Sequence, residues 1–506
     1  MISATHWDAI CIGAGITSLA FGAQLVKKYP GIRIALIDKH SVPGGYATVF
    51  HRPKAPAVFD CSLHKLSGTG DGGNLRRIFQ ALGLSDELSL FVPEDYFEAV
   101  LPDATVTLGN HPAAVEQALA RQFPEEAEAV AAFFIEVAVH GRNGYYQFQM
   151  MDGSFEADFS EVRYAHRHLK HISVADALAT RFRSTYLKEL IAATGIYVGG
   201  YPEDLSYLYF LHVVYATLFK GNAYVKGASQ QLSDALAARI AAAGGMVLLN
   251  TTVLHIVRND DDQVTGVETS RGSFFSNKVY VNAAPHYAID TLFGEDEKMQ
   301  PVQRKLVSLK PSRSTTTVYL TTNLPPASLG LTSTETMILG APQDDGIAAR
   351  RAAAAQPQNE VINEYAYWQC SMMEVTNYHA LDAANGHVIC LNVLDAITHW
   401  PERKSLDYKN KKQRAARILL ERLYAAKPAL RGQVTYTEVS SPRTYQRFTN
   451  NTDGAGYGAM VGTDLSSHLF HHHFPFKGIH FLSAWVAGPS YEAAFGYAEM
   501  KVEQWA

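Results

Sequence analysis

The segment before Asp38 contains the pattern that most constrains the fold of this chain. An apolar run at residues 8–12 leads into Gly13 and Gly15, then a helical pattern to Tyr29, then a second apolar run that ends on Asp38. Strand, glycine turn, helix, strand and acid is the order of a dinucleotide-binding βαβ unit. The sequence therefore predicts an α/β sheet whose first turn binds a pyrophosphate.

Each residue type in this turn suits the binding of a dinucleotide for a physical reason. Gly13 lets the chain turn off the strand, and Gly15 leaves room for a phosphate where a Cβ would collide. The free N–H groups at the start of the helix face the negative charge. Asp38 can accept hydrogen bonds from a ribose diol, which favours a free 2′-hydroxyl and argues against NADP. Ser18 stands at the third glycine of the motif, as a small residue that still permits close helix–strand packing.

Composition excludes several classes of function. Of 506 residues, 47% are hydrophobic and 18% charged, as in a globular protein with a large core. The net charge of −5 gives no reason to expect nucleic acid as a partner. The four cysteines lie far apart, which fits a reducing compartment. With no basic-then-apolar leader, we expect a cytoplasmic protein. Peripheral membrane contact and the oligomeric state stay open.

Further segments resemble the flavin amine oxidase-like superfamily. Most of them are similar to a narrower branch, which contains phytoene desaturases, carotenoid cis–trans isomerases and retinol saturases. They are distributed over nearly the whole chain. The similar segments are residues 43–45, 59–73, 224–236, 282–285, 441–458 and 478–488.

The resemblance implies an FAD-dependent oxidoreductase with one noncovalent FAD per chain. Its fold would be α/β, with a Rossmann-like FAD-binding domain of the GR2 type and an inserted α+β substrate domain. The FAD-binding domain is expected in three segments, residues 1–75, 221–300 and 441–506. Residues 76–220 are expected to form a mainly helical substrate or lid segment, and residues 301–440 the substrate domain.

The resemblance also assigns residues to the cofactor. The adenine half would lie on the first glycine turn and Asp38, and the flavin under the second glycine turn and the C-terminal loop. Ser483 replaces a usual glycine of the C-terminal motif, so the flavin contacts near Trp485 are expected to differ from the family pattern. The expected FAD-binding residues are Gly13, Gly15, Ser18, Asp38, Lys39, Gly44, Gly45, Tyr46, Val253, Ala284, Ser483, Ala484, Trp485 and Tyr491.

Two side chains are candidates for catalysis. His64 follows the flavin-binding turns, and histidine as a residue type changes charge near neutral pH, so this side chain could move a proton or orient a substrate; a structural histidine explains it equally well. Lys226 could stabilise a negatively charged reduced flavin, although a surface lysine is the simpler interpretation. No metal site is predicted, because the histidine tracts at residues 166–171 and 471–473 lack cysteines or carboxylates at ligand spacing.

The predicted chemistry is that of the cofactor, because the sequence has no nucleophile elbow and no Walker loop. We expect redox chemistry on the C–C or C=C bonds of a long, apolar, polyunsaturated substrate similar to a carotenoid or retinoid. Desaturation, saturation and double-bond isomerisation all stay open. An amine or amino-acid oxidase on the same fold, and a flavin-bound lipid carrier without turnover, stay open as alternatives.

Overall fold

The computed structural model of the protein describes residues 6–149, 159–294, 296–340, 364–464 and 474–505. The histidine tract at residues 471–473 therefore lies outside the described residues. Two large sheets organise the chain, one parallel and one mainly antiparallel. This arrangement confirms the predicted Rossmann-like domain with an inserted α+β domain.

The parallel sheet is assembled from distant parts of the chain. All its neighbouring strands run parallel. The C-terminal segment completes the sheet, because its strand pairs with a strand from the middle of the chain. The order across the sheet is β10 (Met246–Leu248), β2 (Ile34–Ile37), β1 (Ala9–Ile12), β14 (Val279–Val281) and β20 (Ile479–Phe481).

Alternate residues of β1 pack into separate cores on the two faces of this sheet. Ala9 and Cys11 belong to the core that contains α1 (Ile16–Lys28), α10 (Ala228–Ala242) and α18 (Tyr491–Glu503). Ile10 and Ile12 belong to the opposite core. That core includes β11 (Val253–Arg258), β12 (Val264–Thr269), β13 (Gly272–Phe275) and α11 (Pro285–Leu292).

The second sheet belongs to the part of the chain that we expect to bind the substrate, which we call the substrate half. It is antiparallel except for one parallel pair, β16 (Glu335–Ile338) with β7 (Asp95–Val100). Its apolar face packs on α15 (Leu406–Ala426), whereas Tyr319, Val388 and Cys390 join the core that Ala9 and Cys11 of the parallel sheet also enter. The order across the sheet is β19 (Val434–Ser440), β15 (Ser314–Thr322), β18 (Val388–Asp395), β17 (Met373–Asn377), β16 (Glu335–Ile338), β7 (Asp95–Val100) and β8 (Thr105–Gly109).

The segment at residues 76–220 is mostly helical but also supplies β7 and β8 to the second sheet. The apolar stretch at residues 205–219 forms α9 and a π-helical turn, and it is largely buried, as its sequence predicts. The helical elements are α3 (Pro112–Gln122), α4 (Ala127–Glu136), a π-helical turn (Val137–Gly141), α5 (Arg142–Gln149), α6 (Phe159–His168), α7 (Val174–Arg181), α8 (Thr185–Ala192), α9 (Tyr207–Val214) and the second π-helical turn (Tyr215–Phe219).

Shorter elements connect the two halves. Within the described ranges, every helix is too short or too polar to cross a bilayer. The connecting strands are β3 (Val49–Arg52), β4 (Ala55–Asp60), β5 (Leu66–Ser67), β6 (Leu90–Phe91) and β9 (Asn222–Val225). The connecting helices are α2 (Asn74–Leu82), α12 (Gln300–Leu306), α13 (Glu364–Cys370), α14 (Tyr378–Leu381), α16 (Pro442–Thr449) and α17 (Ala484–Ala487).

Candidate functional site

A cleft of about 1040 Å³ lies where β1 and β2 end. We call it the cofactor cleft. Ligands of open parallel sheets bind at this edge, beyond the carboxyl ends of the strands. The predicted cofactor residues that line the cleft are Gly13, Gly15, Asp38, Lys39, Gly44, Gly45, Tyr46, Val253, Ser483, Ala484 and Trp485.

The floor of the cofactor cleft is backbone. Gly15 caps α1, and the first turn of α1 has no acidic side chain to occupy its N–H groups. A Cβ on Gly15 would lie 2.8 Å from the Asn282 side-chain nitrogen, and a Cβ on Gly45 would lie 3.2 Å from the Gly15 Cα. Gly44 has φ +122° and donates its N–H to the Ala14 carbonyl at 2.8 Å. The two glycine turns therefore touch, and they leave a cradle without side chains.

The Asp38 carboxylate is held in place at the end of β2. Its Oδ2 accepts a hydrogen bond from the Ala14 N–H at 2.7 Å, and its Oδ1 accepts one from the His40 N–H at 2.8 Å. A carboxylate has more lone pairs than these two bonds use. Asp38 therefore supports the glycine turn and can still accept from a ligand hydroxyl.

Two buried polar atoms in the wall of the cofactor cleft have no hydrogen-bond partner among the described residues, Asn282 Nδ2 and Ser483 Oγ. Unpaired buried polar groups are rare and costly, so such atoms point to a polar ligand. Trp485 is fixed beside them, because its Nε1 donates to Asn451 Oδ1 at 3.1 Å. The glycine cradle, the acid at the strand end and these unpaired atoms fit an FAD molecule.

Three predicted cofactor residues lie outside the lining of this cleft. Ser18 is buried within α1, where a small residue permits packing on the sheet. Ala284 is buried at the start of α11, next to Asn282 and Ala283, which do line the cleft. Tyr491 lines a second cavity. The contacts of all fourteen residues with FAD stay a prediction.

The second cavity, of about 1160 Å³, lies between the parallel sheet and the substrate half. We call it the inner cavity. It shares Tyr46, Gly456 and Ala484 with the cofactor cleft, so the two spaces meet at these residues. Its wall is rich in tyrosine and small apolar residues. These are Tyr96, Tyr197, Tyr209, Tyr457, Tyr491, Val198, Val213, Ala47, Ala216 and Ala494.

His64 lies in the wall of the inner cavity, where its ring nitrogens are engaged from two strands. A hydrogen bond joins His64 Nδ1 to Thr376 Oγ1 at 2.6 Å, and Asn392 Nδ2 donates to His64 Nε2 at 3.3 Å. Glu374 Oε1 lies 3.7 Å from His64 Nδ1. The first catalytic candidate is therefore placed beside the predicted flavin site and next to a buried carboxylate.

Lys226, the second catalytic candidate, does not line either space, and its role toward the flavin stays a prediction. Its side chain is exposed at the end of β9, and its N–H donates to the Ser89 carbonyl at 2.9 Å. The strand ends at Val225 and the chain turns at Gly227, which directs Lys226 to solvent. The lysine in the wall of the inner cavity is Lys65.

Lys65 belongs to a buried charge cluster that no motif in the sequence indicates. Its Nζ lies 2.8 Å from Glu335 Oε2, and it also donates to the Tyr96 carbonyl. Tyr197 donates its hydroxyl to the same Glu335 carboxylate. The two acids of the cluster, Glu335 and Glu374, are 0% and 2% exposed. The only local signal in the sequence is that Lys65 directly follows His64.

The two carboxylates raise an electrostatic problem. Side-chain ligand atoms of His64, Glu335 and Glu374 all lie within 4.8 Å of one another. Burial raises the pKa of Glu374; His64 opposes that rise and Glu335 adds to it. Glu374 therefore binds a proton more readily than a solvent-exposed glutamate does.

A third acid, Glu492, lines the inner cavity from the first turn of α18. Its carboxylate accepts hydrogen bonds from Ser67 Oγ at 2.7 Å and Tyr145 OH at 2.5 Å. Burial raises the pKa of Glu492 to about 7, although the hydrogen bonds from Tyr145 and Ser67 oppose the rise. Glu492 therefore joins the C-terminal helix to β5 and α5.

Comparison with known proteins supports the cofactor and the class. Residues 11–82 match the family described as NAD(P)-binding Rossmann-like domain, and residues 208–379 match the family described as FAD dependent oxidoreductase. Prolycopene isomerase 2 of an Oncidium hybrid cultivar is 24% identical over 480 residues, covering 90% of this chain and 76% of that protein. All-trans-retinol 13,14-reductase of Rattus norvegicus is 22% identical over 490 residues, covering 89% and 77%.

Further similarities agree. The neurosporene-forming phytoene desaturase of Rhodobacter capsulatus is 25% identical over 280 residues, covering 54% of this chain and 52% of that protein. Among solved structures, an oxidoreductase from Methanosarcina mazei has a TM-score of 0.64 at 15% identity, covering 98% and 99% of the two chains. Cyclohexylamine oxidase from Brevibacterium oxydans has a TM-score of 0.63 at 14% identity, covering 99% of each chain. At these identities the solved structures show the fold alone.

The protein is an FAD-dependent oxidoreductase, and FAD is its cofactor. Within that class it resembles flavin amine oxidase-like proteins, and in particular the branch that contains prolycopene isomerases, phytoene desaturases and retinol reductases. Both statements confirm what the sequence motifs predict.

Proposed function

We propose that the protein acts on C–C or C=C bonds of a long, apolar, polyunsaturated small molecule. The reaction is desaturation, saturation or double-bond isomerisation. One observation carries this proposal: an inner cavity walled largely by tyrosine and small apolar residues meets the cofactor cleft at Tyr46, Gly456 and Ala484. The names of the similar curated proteins support the same substrate class.

The inner cavity suits a carbon chain better than a small polar ligand. Moving apolar surface out of water stabilises a complex by about 25 cal/mol for each Å² buried. Flat tyrosine rings can pack on a conjugated chain and keep their hydroxyl groups in hydrogen bonds of their own. Tyr96 is an example, because its hydroxyl is 3.1 Å from Thr217 Oγ1.

The residues of the chain have separate tasks in this reaction. FAD, when bound, supplies the hydride acceptor or donor. The N-terminus of α1 and the glycine turns bind the pyrophosphate, and Asn282 and Ser483 offer the unpaired polar atoms described above. The inner cavity holds the reacting bond near the flavin and excludes water. His64, in the wall, is placed to exchange a proton with the substrate.

The test uses the purified protein with its FAD. The protein is mixed anaerobically with all-trans-retinol or a carotene in detergent, while the flavin absorption is recorded and the products are identified by mass spectrometry. We expect loss of two hydrogens, gain of two hydrogens in the presence of a reductant, or an isomer of unchanged mass. Hydrogen peroxide formed from amines, with no change in any polyene, would instead favour an amine oxidase. A flavin that no substrate or reductant bleaches would favour the carrier.

The same proposal includes a cytoplasmic location with peripheral membrane contact, because an apolar substrate must leave a bilayer. A third cavity, of about 1420 Å³, adjoins the cofactor cleft, with which it shares His40, Gly45, Tyr46, Phe448 and Thr449. Its wall combines exposed apolar side chains with cationic ones, a combination that suits anionic lipid headgroups over an apolar interior. We call this set the mouth surface: Val42, Phe448, Arg403, Lys412 and Arg447.

Liposome flotation tests the membrane contact. The double variant Arg403→Glu and Arg447→Glu should float less with anionic vesicles than the wild-type protein. Arg271→Glu, which changes an exposed arginine in the turn between β12 and β13, is the matched control and should float normally. If the wild-type protein fails to float at low salt, or the double variant floats equally well, the mouth surface is not a lipid contact.

A further inference from the structure

A row of polar side chains crosses the second sheet on the face that points toward the inner cavity. Thr317 on β15 faces Asn392 on β18, Asn392 faces Glu374 on β17, and Glu335 on β16 faces Thr376 on β17. Thr317 donates to Asn392 Oδ1 at 2.6 Å, and Asn392 Nδ2 donates to Glu374 Oε2 at 3.2 Å. We call this set the polar row. A fold alone has no need for such a row in its interior, since apolar side chains would be cheaper to bury.

Two atoms of the polar row are unsatisfied. Glu335 Oε1 and Glu374 Oε1 are buried and have no hydrogen-bond partner among the described residues. Two buried carboxylates this close cannot both stay ionised without cost, so the pair favours uptake of one proton. Lys65 pairs with the other oxygen of Glu335, Oε2, and the Tyr197 hydroxyl donates a hydrogen bond to the same oxygen. Glu374 is therefore the member of the pair that takes the proton.

His64 connects this proton to the reaction space. Its Nδ1 is 3.7 Å from Glu374 Oε1, and its ring lines both the inner cavity and a smaller adjoining cavity that Asn392 and Thr317 also line. Glu374 does not line either cavity, so it can act on a substrate only through His64. Glu374 and His64 therefore resemble the acid–histidine pairs of other enzymes, in which the acid controls the protonation of the imidazole ring.

We propose that Glu374, with Glu335 beside it, stores the proton that His64 exchanges with the substrate. This inference rests on the proposed function. In saturation the C=C π bond is lost: His64 would give a proton to one carbon, while FAD bound in its reduced form would supply the hydride for the neighbouring carbon. His64 would then recover a proton from Glu374, whose Oε1 faces its Nδ1 at 3.7 Å, and Glu374 would be reprotonated from solvent. In desaturation the proton would pass from the substrate carbon to His64 and then to Glu374, while oxidised FAD, when bound, would supply the hydride acceptor.

In this proposal Glu374 is a positioning residue, and His64 is the group that meets the substrate. The pH dependence of turnover then depends on every titratable group that faces Glu374. We expect turnover in the proton-donating direction to fall as pH rises and Glu374, whose pKa is raised by burial, loses its proton. The titratable groups around Glu374 are His64, Lys65, Glu335, Tyr197, Cys390 and Tyr457.

The first test needs no turnover. Infrared spectra of the FAD-loaded protein at neutral pH are recorded for the wild-type protein and for Glu374→Gln, and their difference is taken in the carbonyl-stretch region of carboxylic acids. We expect the variant to lack one protonated-acid band that shifts in D₂O. The Glu492→Gln protein identifies the separate contribution of that acid. Absence of a band that depends on Glu374 would overturn the stored proton, as would stoichiometric binding of Zn²⁺ by His64 and the two acids.

The second test measures turnover per bound FAD and deuterium uptake from D₂O into the product. Glu374→Gln should lose roughly a hundredfold in turnover, the scale of a positioned proton donor, and should lose the high-pH limb of the profile. Glu374→Asp should recover part of both. Unchanged turnover in Glu374→Gln, with FAD bound, would overturn the transfer through His64.

A matched control lies on the other face of the same sheet. Glu98 on β7 is also buried, but it accepts a hydrogen bond from Thr336 Oγ1 at 3.3 Å and pairs with Lys427. Thr336 follows Glu335, so its side chain points away from the polar row. Glu98→Gln should lower thermal stability and leave the pH profile unchanged. If the wild-type protein shows the acid band but converts no polyene, the proposed function and the transfer fail together, while the stored proton stands.

Discussion

The cofactor cleft and the inner cavity meet at Tyr46 and Ala484, but mainly backbone groups form the floor of the cleft, whereas side chains form the wall of the cavity. The cleft presents backbone: two glycine turns in contact and the N-terminus of a helix. The inner cavity presents side chains, including His64 and Lys65 with two buried acids behind them. A site made of backbone is sensitive to any added atom, whereas a site made of side chains is sensitive to lost charge and lost hydrogen bonds.

The two spaces also differ in how they depend on the fold. The glycine turn, its helix and Asp38 are neighbours in sequence, so they form from local geometry. The polar row needs four strands in the correct register, because each of its contacts crosses from one strand to the next. We therefore expect changes in the cleft to act on FAD binding alone, and changes in the inner cavity to act on turnover and stability at fixed FAD content.

The largest expected effect is the loss of FAD from Gly15→Val. The new side chain would begin 2.8 Å from Asn282 Nδ2 and fill the space of the pyrophosphate. The purified variant should be colourless and should not recover flavin absorption when FAD is added. Gly31→Asn is the control, because Gly31 is exposed, has φ +89°, and an added Cβ there meets no atom within 4 Å. A yellow Gly15→Val protein would mean that the fingerprint is misplaced.

The second effect separates the two spaces. His64→Ala should lower turnover by roughly a hundredfold or more while FAD stays bound, because a positioned acid or base is lost. Turnover is measured per bound flavin. His387→Ala is the control: His387, which directly precedes β18 of the same sheet, hydrogen-bonds the Thr322 carbonyl at 3.2 Å, and it does not line the inner cavity. A structural role for His64 would instead lower stability and FAD content together, with turnover per flavin nearly intact.

Most of the fold was predictable because the sequence patterns that indicate it lie within short segments of the chain. The βαβ unit lies within residues 8–38, and the C-terminal motif marks the strand that completes the same sheet. The lining of the cofactor cleft was predictable for the same reason. Ser18 and Ala284 support this lining from behind, a distinction that needs the packing of α1 and the start of α11.

The polar row was not predictable, because its contacts join residues far apart in sequence. His64 and Thr376 are 312 positions apart and meet through a hydrogen bond. Glu374 lies between two apolar residues in β17, and this alternation alone does not tell which face of the sheet borders a cavity. Lys226 shows the converse: a lysine beside a matching motif lies on the surface, because the turn at Gly227 follows it.

The third prediction concerns pH and the inner cavity. Burial raises the pKa of Glu492 from 4.5 to about 7, so the folded protein holds a proton that the unfolded chain releases. The stabilisation is fully present below about pH 4.5 and is lost as pH rises to about 7. Over this window the free energy of unfolding should fall by roughly 3 kcal/mol relative to Glu492→Gln. Denaturant titrations at several pH values measure it.

Parallel curves for the wild-type protein and Glu492→Gln would contradict this assignment. FAD content must be recorded in each sample, since a bound ligand adds its own stabilisation. The Glu98→Gln variant is a useful comparison here too. It removes a buried acid that pairs with Lys427, so it tests whether loss of any buried carboxylate has the same effect.

The smallest effect belongs to Asp38, the acid at the end of β2 in the cofactor cleft. Asp38→Ala should weaken FAD binding by roughly tenfold to a hundredfold, since hydrogen bonds to a charged acceptor contribute about 1.5–3 kcal/mol. Part of this loss comes from the glycine turn itself, because the Ala14 N–H then loses its acceptor. Asp38→Asn keeps an acceptor oxygen and should lose less FAD affinity.

Asp8→Ala is the matched control: Asp8 Oδ2 accepts from the Arg33 N–H at 2.7 Å, yet Asp8 does not line the cleft. Titration of the FAD-free proteins by flavin fluorescence gives the three affinities. Equal weakening in Asp38→Ala and Asp8→Ala would mean that strand-end acids stabilise the sheet in general, and the cleft would then need no side chain of its own.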